Sequence, residues 1–467
     1  MNTEKKYGIF IFRRDLRIHD NKGLNNLFKE VDYIIPIFIF DKNQCVKNNK
    51  NKYYFSDRAL KFICECIDDL NNELKQCLNI YFGDYITIIN TIIKQLKDYN
   101  IIFGFNMDYS KYSVKRDNDI LKLLDTKKIN YICNYNDFTL CDMDLLIKND
   151  GQPFKKFKSF KDNLLNNEIK MDYIYKIKFH KQLINKLNYT NYHKLYKVEE
   201  DYDPVFIGNR KTVLNILNNV EIFKDYEKNR NYLNYDTLRI SAYLNFGLIS
   251  IRETYLTIEK KIKKSDEILS QLIWRDYYLC LLRYLEGTKD YNKHVDKRYD
   301  NIKWLNDKNK KEWYKMMESK TGFLLVDACI KELLTTGYLH NRGRLIIGYF
   351  TVKHLFINPL HKKYGLNVWF SKYLTDCLTS QNKLNCQFIT EFDYSGKKFS
   401  KKIIDGRPFN VDNVNIKKYD PECIYIKKWL PHLKDVPNKQ LIQWNMKYDI
   451  KIHPKPMFER RRFEDIV

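Results

Sequence analysis

No Cys-x-x-Cys pair occurs in this chain, although it holds eleven cysteines in 467 residues. The nearest approach, Cys64-x-Cys66, has no His-x-x-x-His partner, so neither zinc nor an iron–sulfur cluster is indicated. An odd cysteine count without a secretion signal fits a reducing compartment. Residues 1–8 are charged and lack an apolar h-region, so no export signal is expected. No run approaches 18 apolar residues, so no membrane span is expected. Both Gly-rich phosphate loops, Gly-x-Gly-x-x-Gly and Gly-x4-Gly-Lys-Ser/Thr, are missing as well. Internal repeats and low-complexity tracts are absent.

What is present is charge of one sign. Lys and Arg number 82 against 58 Asp and Glu, a formal net charge of +24. That balance suits a polyanionic partner, nucleic acid first and an anionic membrane surface second. A solvated Lys- and Asn-rich surface accounts for the lysines, but not for where the arginines stand. With 44% hydrophobic and 15% aromatic residues the chain is globular, and it is long enough for two or three domains.

Over the first 140 residues two periods alternate. Apolar runs at 7–12, 33–40, 78–82, 101–106 and 130–133 predict strands, with helical spacing between them. Ile86, Ile89, Ile93 and Leu96 mark one such helix over 84–98. This alternation predicts a parallel, helix-covered sheet domain over 1–140. Residues 141–235 are Lys- and Asn-rich and poorly periodic, and are expected to form a connector with some helix. From 236 to 467 the pattern is almost wholly helical. Ser265-Asp266 reads as a helix start and Gly287 as its stop. The stretch between them is apolar nearly all round, which predicts burial in a large helical core. Another helix is predicted over 321–336, ending at Gly337, and His453-Pro-Lys-Pro is expected to be a tail. The expected fold class is α/β followed by all-α: a Rossmann-like parallel sheet without a Gly-rich loop, linked to a large helical domain. A nucleotide cofactor would have to sit in the helical part.

The first strand, Ile9-Phe10-Ile11-Phe12, runs directly into Arg13-Arg14-Asp15-Leu16-Arg17-Ile18-His19-Asp20. A dinucleotide fold places its phosphate turn there. Taken singly, these arginines are accounted for by a salt-bridged turn. As a set, the stretch resembles the N-terminal signature of the photolyase/cryptochrome flavoproteins, a strand followed by Arg-Arg-Asp-Leu-Arg-x-x-Asp-Asn. Phe105-Asn106-Met107-Asp108-Tyr109 with Arg116-Asp117 resembles the family's pattern at a later strand end. The likeness runs from about residue 7 to about 433 and is strongest to class I cyclobutane pyrimidine dimer photolyases. It implies that the sheet domain serves an antenna chromophore at most, and that FAD is bound by the helical domain.

The helical half carries the more specific likeness. Thr237-Leu238-Arg239-Ile240-Ser241-Ala242-Tyr243-Leu244-Asn245-Phe246-Gly247 resembles the family's Thr-Ser-x-Leu-Ser-Pro-Tyr-Leu-x-Phe-Gly. The resemblance implies that the hydroxyls of Thr237 and Ser241, with helix-start N–H groups, hold the FAD pyrophosphate. Tyr226 would add a phosphate contact, and Leu238 removes one hydroxyl. Alone, these would be ordinary N-cap residues. Gln271-Leu272-Ile273-Trp274-Arg275-Asp276 resembles the family's Glu/Gln-Leu-x-Trp-Arg-Glu/Asp helix. It implies an aromatic wall at Trp274 for a flipped pyrimidine dimer, with Gln271 at the dimer's Watson–Crick edge and near FAD. One Trp on an apolar helix is ordinarily core packing; the adjacent Arg and Asp weigh against that here. Thr336-Gly337-Tyr338-Leu339-His340-Asn341-Arg342-Gly343-Arg344 resembles Thr-Gly-Trp-x-His-Asn-Arg-x-Arg. It implies an ion pair of Arg344 with Asp376 beside the isoalloxazine, Asn341 near the lesion and Arg342 at DNA phosphates. Asp376, Asn382, Gln387 and Phe388 fall at the spacings of the flavin-contacting stretch. Arg407-Pro408-Phe409-Asn410 and Trp429-Leu430-Pro431 close the match. A neutral amide at Asn382, opposite flavin N5, would favour the fully reduced anion, where Asp or Cys would suggest a sensory cryptochrome. DNA contacts are implied for Arg230, Trp274, Arg342, Phe388 and Arg407.

The activity so implied is blue-light-dependent repair of cyclobutane pyrimidine dimers in UV-damaged DNA, a carbon–carbon lyase reaction. Reduced FAD lends one electron to the dimer, and the protein supplies binding, geometry and electrostatics. Catalytic roles are implied for Gln271, Trp274, Asn341 and Asn382. Gln271 stands where cyclobutane-dimer enzymes usually have Glu and (6-4) enzymes have Gln. Yet the His-x-x-x-His pair of (6-4) repair is replaced by Asn341 and Leu345, which leaves no general acid. The alternatives are a (6-4) photolyase, a cryptochrome-type receptor without repair, and a DNA-binding protein that has lost the flavin. Of the family's three electron-carrying tryptophans the outer one is kept as Trp304. The inner position is Cys386 and the middle one falls near Pro359, so slow photoreduction of FAD is expected. Trp369, Tyr364, Tyr373 and Tyr394 lie nearby in sequence. A second chromophore, folate or deazaflavin, fits the family without assignable residues, and no metal is expected. The chain is expected to be an intracellular monomer of cytoplasm, nucleus or a viral factory.

Overall fold

The computed structural model describes residues 5–46, 54–154, 156–173, 176–180, 189–288, 304–377, 413–444 and 446–458. The chain divides into two compact units. The first gathers Met1–Lys197, Phe206–Lys224 and Ile240–Lys289; the second gathers Val198–Val205, Asp225–Arg239 and Asp290–Val467.

In the first unit, strands β1 (Lys6–Phe12), β2 (Tyr33–Asp41), β3 (Asn79–Gly83), β4 (Asn100–Asn106) and β5 (Asn130–Asn134) form one parallel sheet. Their order is β3-β2-β1-β4-β5. Each predicted run is a strand, with ends displaced by about a residue. Ile9 pairs with Ile35 on one side and Phe103 on the other, so β1 is interior. Strands buried on both faces read as continuous apolar runs. Helices α1 (Lys22–Phe28), α2 (Asp57–Glu73), α3 (Tyr85–Gln95) and α4 (Lys111–Thr126) lie between the strands in sequence. Each opens on a side chain that accepts a backbone N–H: Asn21, Ser56, Asp84 and Ser110. Tyr7, Ile9 and Ile11 share one face with Ile88, Ile89 and Ile92 of α3 and Ile120 of α4. Gly8 and Gly104 let α1 approach closely: a Cβ on either would stand 2.9 or 2.7 Å from Leu27.

The strand order reverses between β1 and β4, where open α/β sheets usually hold ligands at the strand carboxyl ends. Here ion pairs fill that place. Arg13 Nη1 reaches Asp117 at 2.7 Å, and Arg14 forks onto Asp108 with two bonds of 2.7 Å. Arg17 Nη2 lies 2.8 Å from both Asp137 oxygens. Asn106 accepts the Gly23 N–H at 3.0 Å and donates to Asp15 at 2.5 Å. Burial alone would raise the Asp108 carboxyl, but Arg14 outweighs it and holds the group at about 2. The charged stretch after β1 is an internal clamp of arginine–carboxylate pairs.

Helices α5 (Phe157–Leu165), α6 (Arg210–Asn218), α7 (Ser241–Phe246), α8 (Ile251–Lys261) and α9 (Asp266–Thr288) complete the first unit. Packing therefore divides the chain differently from the sequence segments 1–140, 141–235 and 236–467, because residues 240–289 lie with the sheet. Leu16 N donates to Phe246 O at 3.1 Å. Gly247 has φ +75°, and a Cβ there would be 2.4 Å from Arg14 O. Arg252, fully buried on α8, donates to Asp20 Oδ2 at 2.9 Å and to the carbonyls of Asp137 and Thr139. Buried charge attaches these helices, and helical periodicity does not reveal it.

The second unit packs α10 (Lys310–Met317), α11 (Leu324–Thr336), α12 (Asn341–Tyr349), α13 (Leu366–Tyr373), α14 (Asn413–Tyr419) and α15 (Ile424–Trp429) around Trp313, Leu325, Leu333, Ile347, Trp369 and Tyr425. Helix α11 ends at Gly337, φ +68°, as the sequence predicts. It starts later than predicted because Asp327 collects Thr321 N, Thr321 Oγ1 and Gly322 N on its carboxylate. The expected tail is packed instead. His453 is buried with Nε2 3.0 Å from Asp327, and Met457 N donates to Thr321 O at 2.9 Å. Among the described residues, no helix is long and apolar enough to cross a membrane.

Candidate functional site

In the first unit, Gln271 and Trp274 stand three residues apart on α9 and so share a face. Both are half-buried. The Trp274 indole lies flat on Phe157, the first residue of α5, with ring centroids 3.6 Å apart and planes 4° from parallel. Tyr278, one turn further along α9, lies 5.6 Å away at 29°. Gln271 Nε2 donates to the Glu267 carbonyl at 3.3 Å. Arg275 and Asp276 are used internally: Arg275 Nη1 donates to Phe138 O at 2.6 Å, and Asp276 accepts Leu140 N at 2.7 Å. Burial pushes the Asp276 carboxyl up to about 6 against the pull of Arg275. This pair ties α9 to the chain after β5. Ser241 is exposed as the first residue of α7.

In the second unit, the segment 225–239 meets the loop between α11 and α12. Thr237 Oγ1 lies 3.2 Å from Tyr338 OH. Arg239 has φ +47°, and its guanidinium sits over the Tyr338 ring, 5.1 Å from the centroid. Arg239 Nη2 reaches Asp236 at 2.5 Å, while its Nε is buried with no acceptor among the described residues. His340 caps α12, accepting the Arg342 N–H at Nδ1 over 3.1 Å. Burial, then Arg342, Arg239 and Arg344, push its pKa down to about 4, so the ring is neutral. One turn on, Arg344 donates to Leu339 O at 2.9 Å and pairs with Asp376 at 2.7 Å, both side chains buried. Burial opposes the charge on Arg344, and Asp376 more than restores it. Arg342 Nε donates to Asn231 at 2.8 Å, next to Arg230, whose N–H bonds back to Tyr226 O at 2.8 Å. Asn341 is exposed beside them. Glu332 is buried, accepts the Tyr425 hydroxyl at 2.6 Å, and is pushed up to about 7 by burial against Tyr425 and Arg239. Trp304 is half-buried. Trp369 lies in the core, 6.5 Å from Trp313 and 6.0 Å from Tyr373. Asn382, Phe388 and Arg407, with Cys386, Gln387 and Tyr394, lie outside the described residues.

The structure thus brings together Gln271 with Trp274, Thr237 with Tyr338, Arg344 with Asp376, and Arg342 with the Arg230 segment. Sequence reasoning missed three neighbours. Phe157 lies 117 residues from its ring partner, a separation no local pattern reports. Tyr338 had a signal, because it replaces a Trp with a ring that carries a hydroxyl. Arg239 occupies an unspecified position of its motif. In chemical terms, the hydroxyls of Thr237 and Tyr338 lie together and the Arg239 guanidinium lies over the Tyr338 ring, so donors and a positive charge share this part of the second unit.

Comparison with known proteins gives two family matches. Residues 9–172 match the family described as DNA photolyase, and residues 268–462 match the FAD binding domain of DNA photolyase. The (6-4)DNA photolyase of Arabidopsis thaliana is 24% identical over 96% of this chain and 84% of its own length. The deoxyribodipyrimidine photo-lyase of Buchnera aphidicola subsp. Acyrthosiphon pisum is 25% identical over 96% of this chain and 92% of its own. The crystal structure of the archaeal photolyase from Sulfolobus tokodaii with two FAD molecules superposes with a TM-score of 0.82 at 28% identity, covering 98% of this chain and 97% of that one.

Proposed function

This chain belongs to the photolyase/cryptochrome family, and from that premise we propose that it repairs cyclobutane pyrimidine dimers in DNA under blue light. The observation that carries the reading is the face of α9, where an amide, Gln271, stands one turn from a half-buried indole, Trp274. An aromatic plane stacks a base and an amide bonds its Watson–Crick edge. FAD, when bound, supplies the electron that opens the dimer.

The residues do the rest. Trp274 holds one plane of the lesion and Gln271 its polar edge. Asn341, exposed in the second unit, is the amide that the family likeness assigns to the lesion. Arg344, held by Asp376, presents a fixed positive charge for the flavin ring, and Asn382 is the amide for flavin N5. Thr237, Tyr226 and Ser241 are the candidates for the cofactor's phosphates. Arg230, Arg342 and Arg407 meet DNA phosphates, and Phe388 a base. The cyclobutane dimer is preferred over the (6-4) product because the positions of the (6-4) acid–base pair hold no imidazole. Asn341 and Leu345 occupy the acid positions, and His340 is neutral with Nδ1 committed as a cap acceptor.

The test is repair of an oligonucleotide with one cyclobutane thymine dimer by the purified, chemically reduced protein, in blue light and in darkness. Light-dependent recovery of intact thymines is expected. Repair of a (6-4) oligonucleotide alone would reassign the lesion, and no repair by FAD-loaded protein would favour a sensory role.

A further inference from the structure

The C-terminal strap of the second unit, residues 446–458, is held by a row of three titratable side chains that the proposed repair does not use. His453 is buried, and its Nε2 lies 3.0 Å from Asp327 Oδ2 on α11. Its other nitrogen, Nδ1, lies 3.0 Å from Nε2 of His432, in the short turn Pro431–Leu433. The His432 side chain is exposed, so the row runs from a buried carboxylate to the surface. The ring centres are 5.2 Å apart with planes 15° from parallel, while the facing nitrogens stand much closer. The two rings therefore meet edge to edge, with one proton shared between them.

The direction of each bond follows from the groups that meet. Asp327 already accepts Thr321 N, Thr321 Oγ1 and Gly322 N, and it faces His453 as an acceptor too. His453 Nε2 therefore carries a proton, and in the neutral ring Nδ1 is left to accept the His432 Nε2–H. One added proton still leaves a lone pair between the rings, and the bond survives. A second leaves none, and two cations then face each other. Of the remaining neighbours, Trp444 stands T-shaped to His453 at 6.0 Å. Asp449 meets His453 N with its backbone carbonyl, while its carboxylate accepts Lys451 N. Partial burial, then the facing His453, hold the His432 ring below the usual imidazole range, with Asp327 pulling the other way.

We propose that the His432–His453 bond is a pH-sensitive latch on the C-terminal strap, closed at neutral pH and opened when both rings are protonated. Beyond the latch, Met457 N donates to Thr321 O at 2.9 Å. Phe458 lies against Phe323 and Phe350, with ring centroids 5.0 and 5.7 Å away. Thr321 is itself held by Asp327, so the latch and the strap share one anchor. The released strap takes up a proton at His432 that the latched strap refuses. The latch is therefore favoured near pH 7 and weakens as pH falls below about 6.5. The opening is local, confined to the strap.

The test is hydrogen exchange of the full chain, read by mass spectrometry as protection factors from about pH 7.5 to 4.5. The amides of Ile452, His453 and Met457 report on the strap, and each variant is compared with the native chain at the same pH. His432→Gln keeps an amide that can donate to His453 or accept from it, and it does not titrate. The native strap is expected to lose about 10-fold more protection than the His432→Gln strap on acidification, as for loss of one hydrogen bond. His432→Ala lacks the bond at every pH. Its strap is expected to be about 10-fold less protected than native at pH 7.5, and no less protected than native at pH 4.5. An acid loss that His432→Gln shares in full overturns the proposal, because it would come from the unit as a whole. Equal protection of the native and His432→Ala straps at pH 7.5 overturns it too, because the bond would then hold nothing.

Discussion

At His340 one ring nitrogen has two incompatible uses: it accepts the Arg342 N–H, or it takes up a proton. The buried ring prefers the first, with its pKa down near 4 against about 6.5 in the unfolded chain. The unfolded state therefore binds a proton below pH 6.5 that the folded state refuses. Stability should fall as pH drops from about 6.5 to about 4, by about 3 kcal/mol for this group. Urea unfolding across that range, native against His340→Asn, checks it, because Asn keeps a cap acceptor and cannot titrate. Glu332 has the opposite sign. Its carboxyl ionises near 4.5 when unfolded and near 7 when folded, so stability should fall as pH rises between those values. Glu332→Gln should abolish that slope in the same experiment. The Arg344–Asp376 pair answers to a different rule. Replacing Arg344 with Met strands a buried carboxylate, and a loss of about 3–5 kcal/mol in urea unfolding is expected.

At the scale of elements, the parallel stack of Phe157 on Trp274 couples α5 to α9. A double-mutant cycle with Phe157→Leu and Trp274→Leu should show about 0.5–1.5 kcal/mol of coupling in unfolding free energy. Additive losses would mean that the two rings only share a neighbourhood. The strands were legible because a strand buried on both faces needs an unbroken apolar run, and β1 and β2 have one. Gly337 was legible for the same kind of local reason, since a helix end wants a left-handed residue. The start of α11 was not, because one carboxylate, Asp327, gathers the preceding turn onto itself. Nor was the packing of His453, whose partner lies 126 residues away. Arg275 and Asp276 illustrate the limit for the candidate site. Their presence on an apolar helix signalled a special role, and the structure spends them on the Phe138 and Leu140 backbone. Charge on a buried helix announces a partner without saying whether the partner is substrate or scaffold.

For the whole molecule, a formal charge of +24 would make the proposed DNA binding a salt-dependent equilibrium. The logarithm of the binding constant should fall linearly with the logarithm of salt concentration. Arg342→Ala should weaken binding to damaged and undamaged DNA alike and reduce that slope by about 1. A slope unchanged in the variant would remove Arg342 from the phosphate contacts.

The clamp between Asp20 and Arg252 also has a temporal meaning. The two residues are 232 positions apart, and the rest of the sheet lies between them in the chain. On a ribosome adding about 5–20 residues per second, Asp20 waits roughly 10–50 s for its guanidinium. During that interval all five strands have emerged, while Asp20 and Asp137 have yet to receive Arg252. A fragment ending at residue 197 should accordingly give a broad, weakly cooperative melt, and one ending at residue 288 a sharp one. The nascent sheet is a half-closed lock until α8 is made, and that delay is when chaperone contact would matter most.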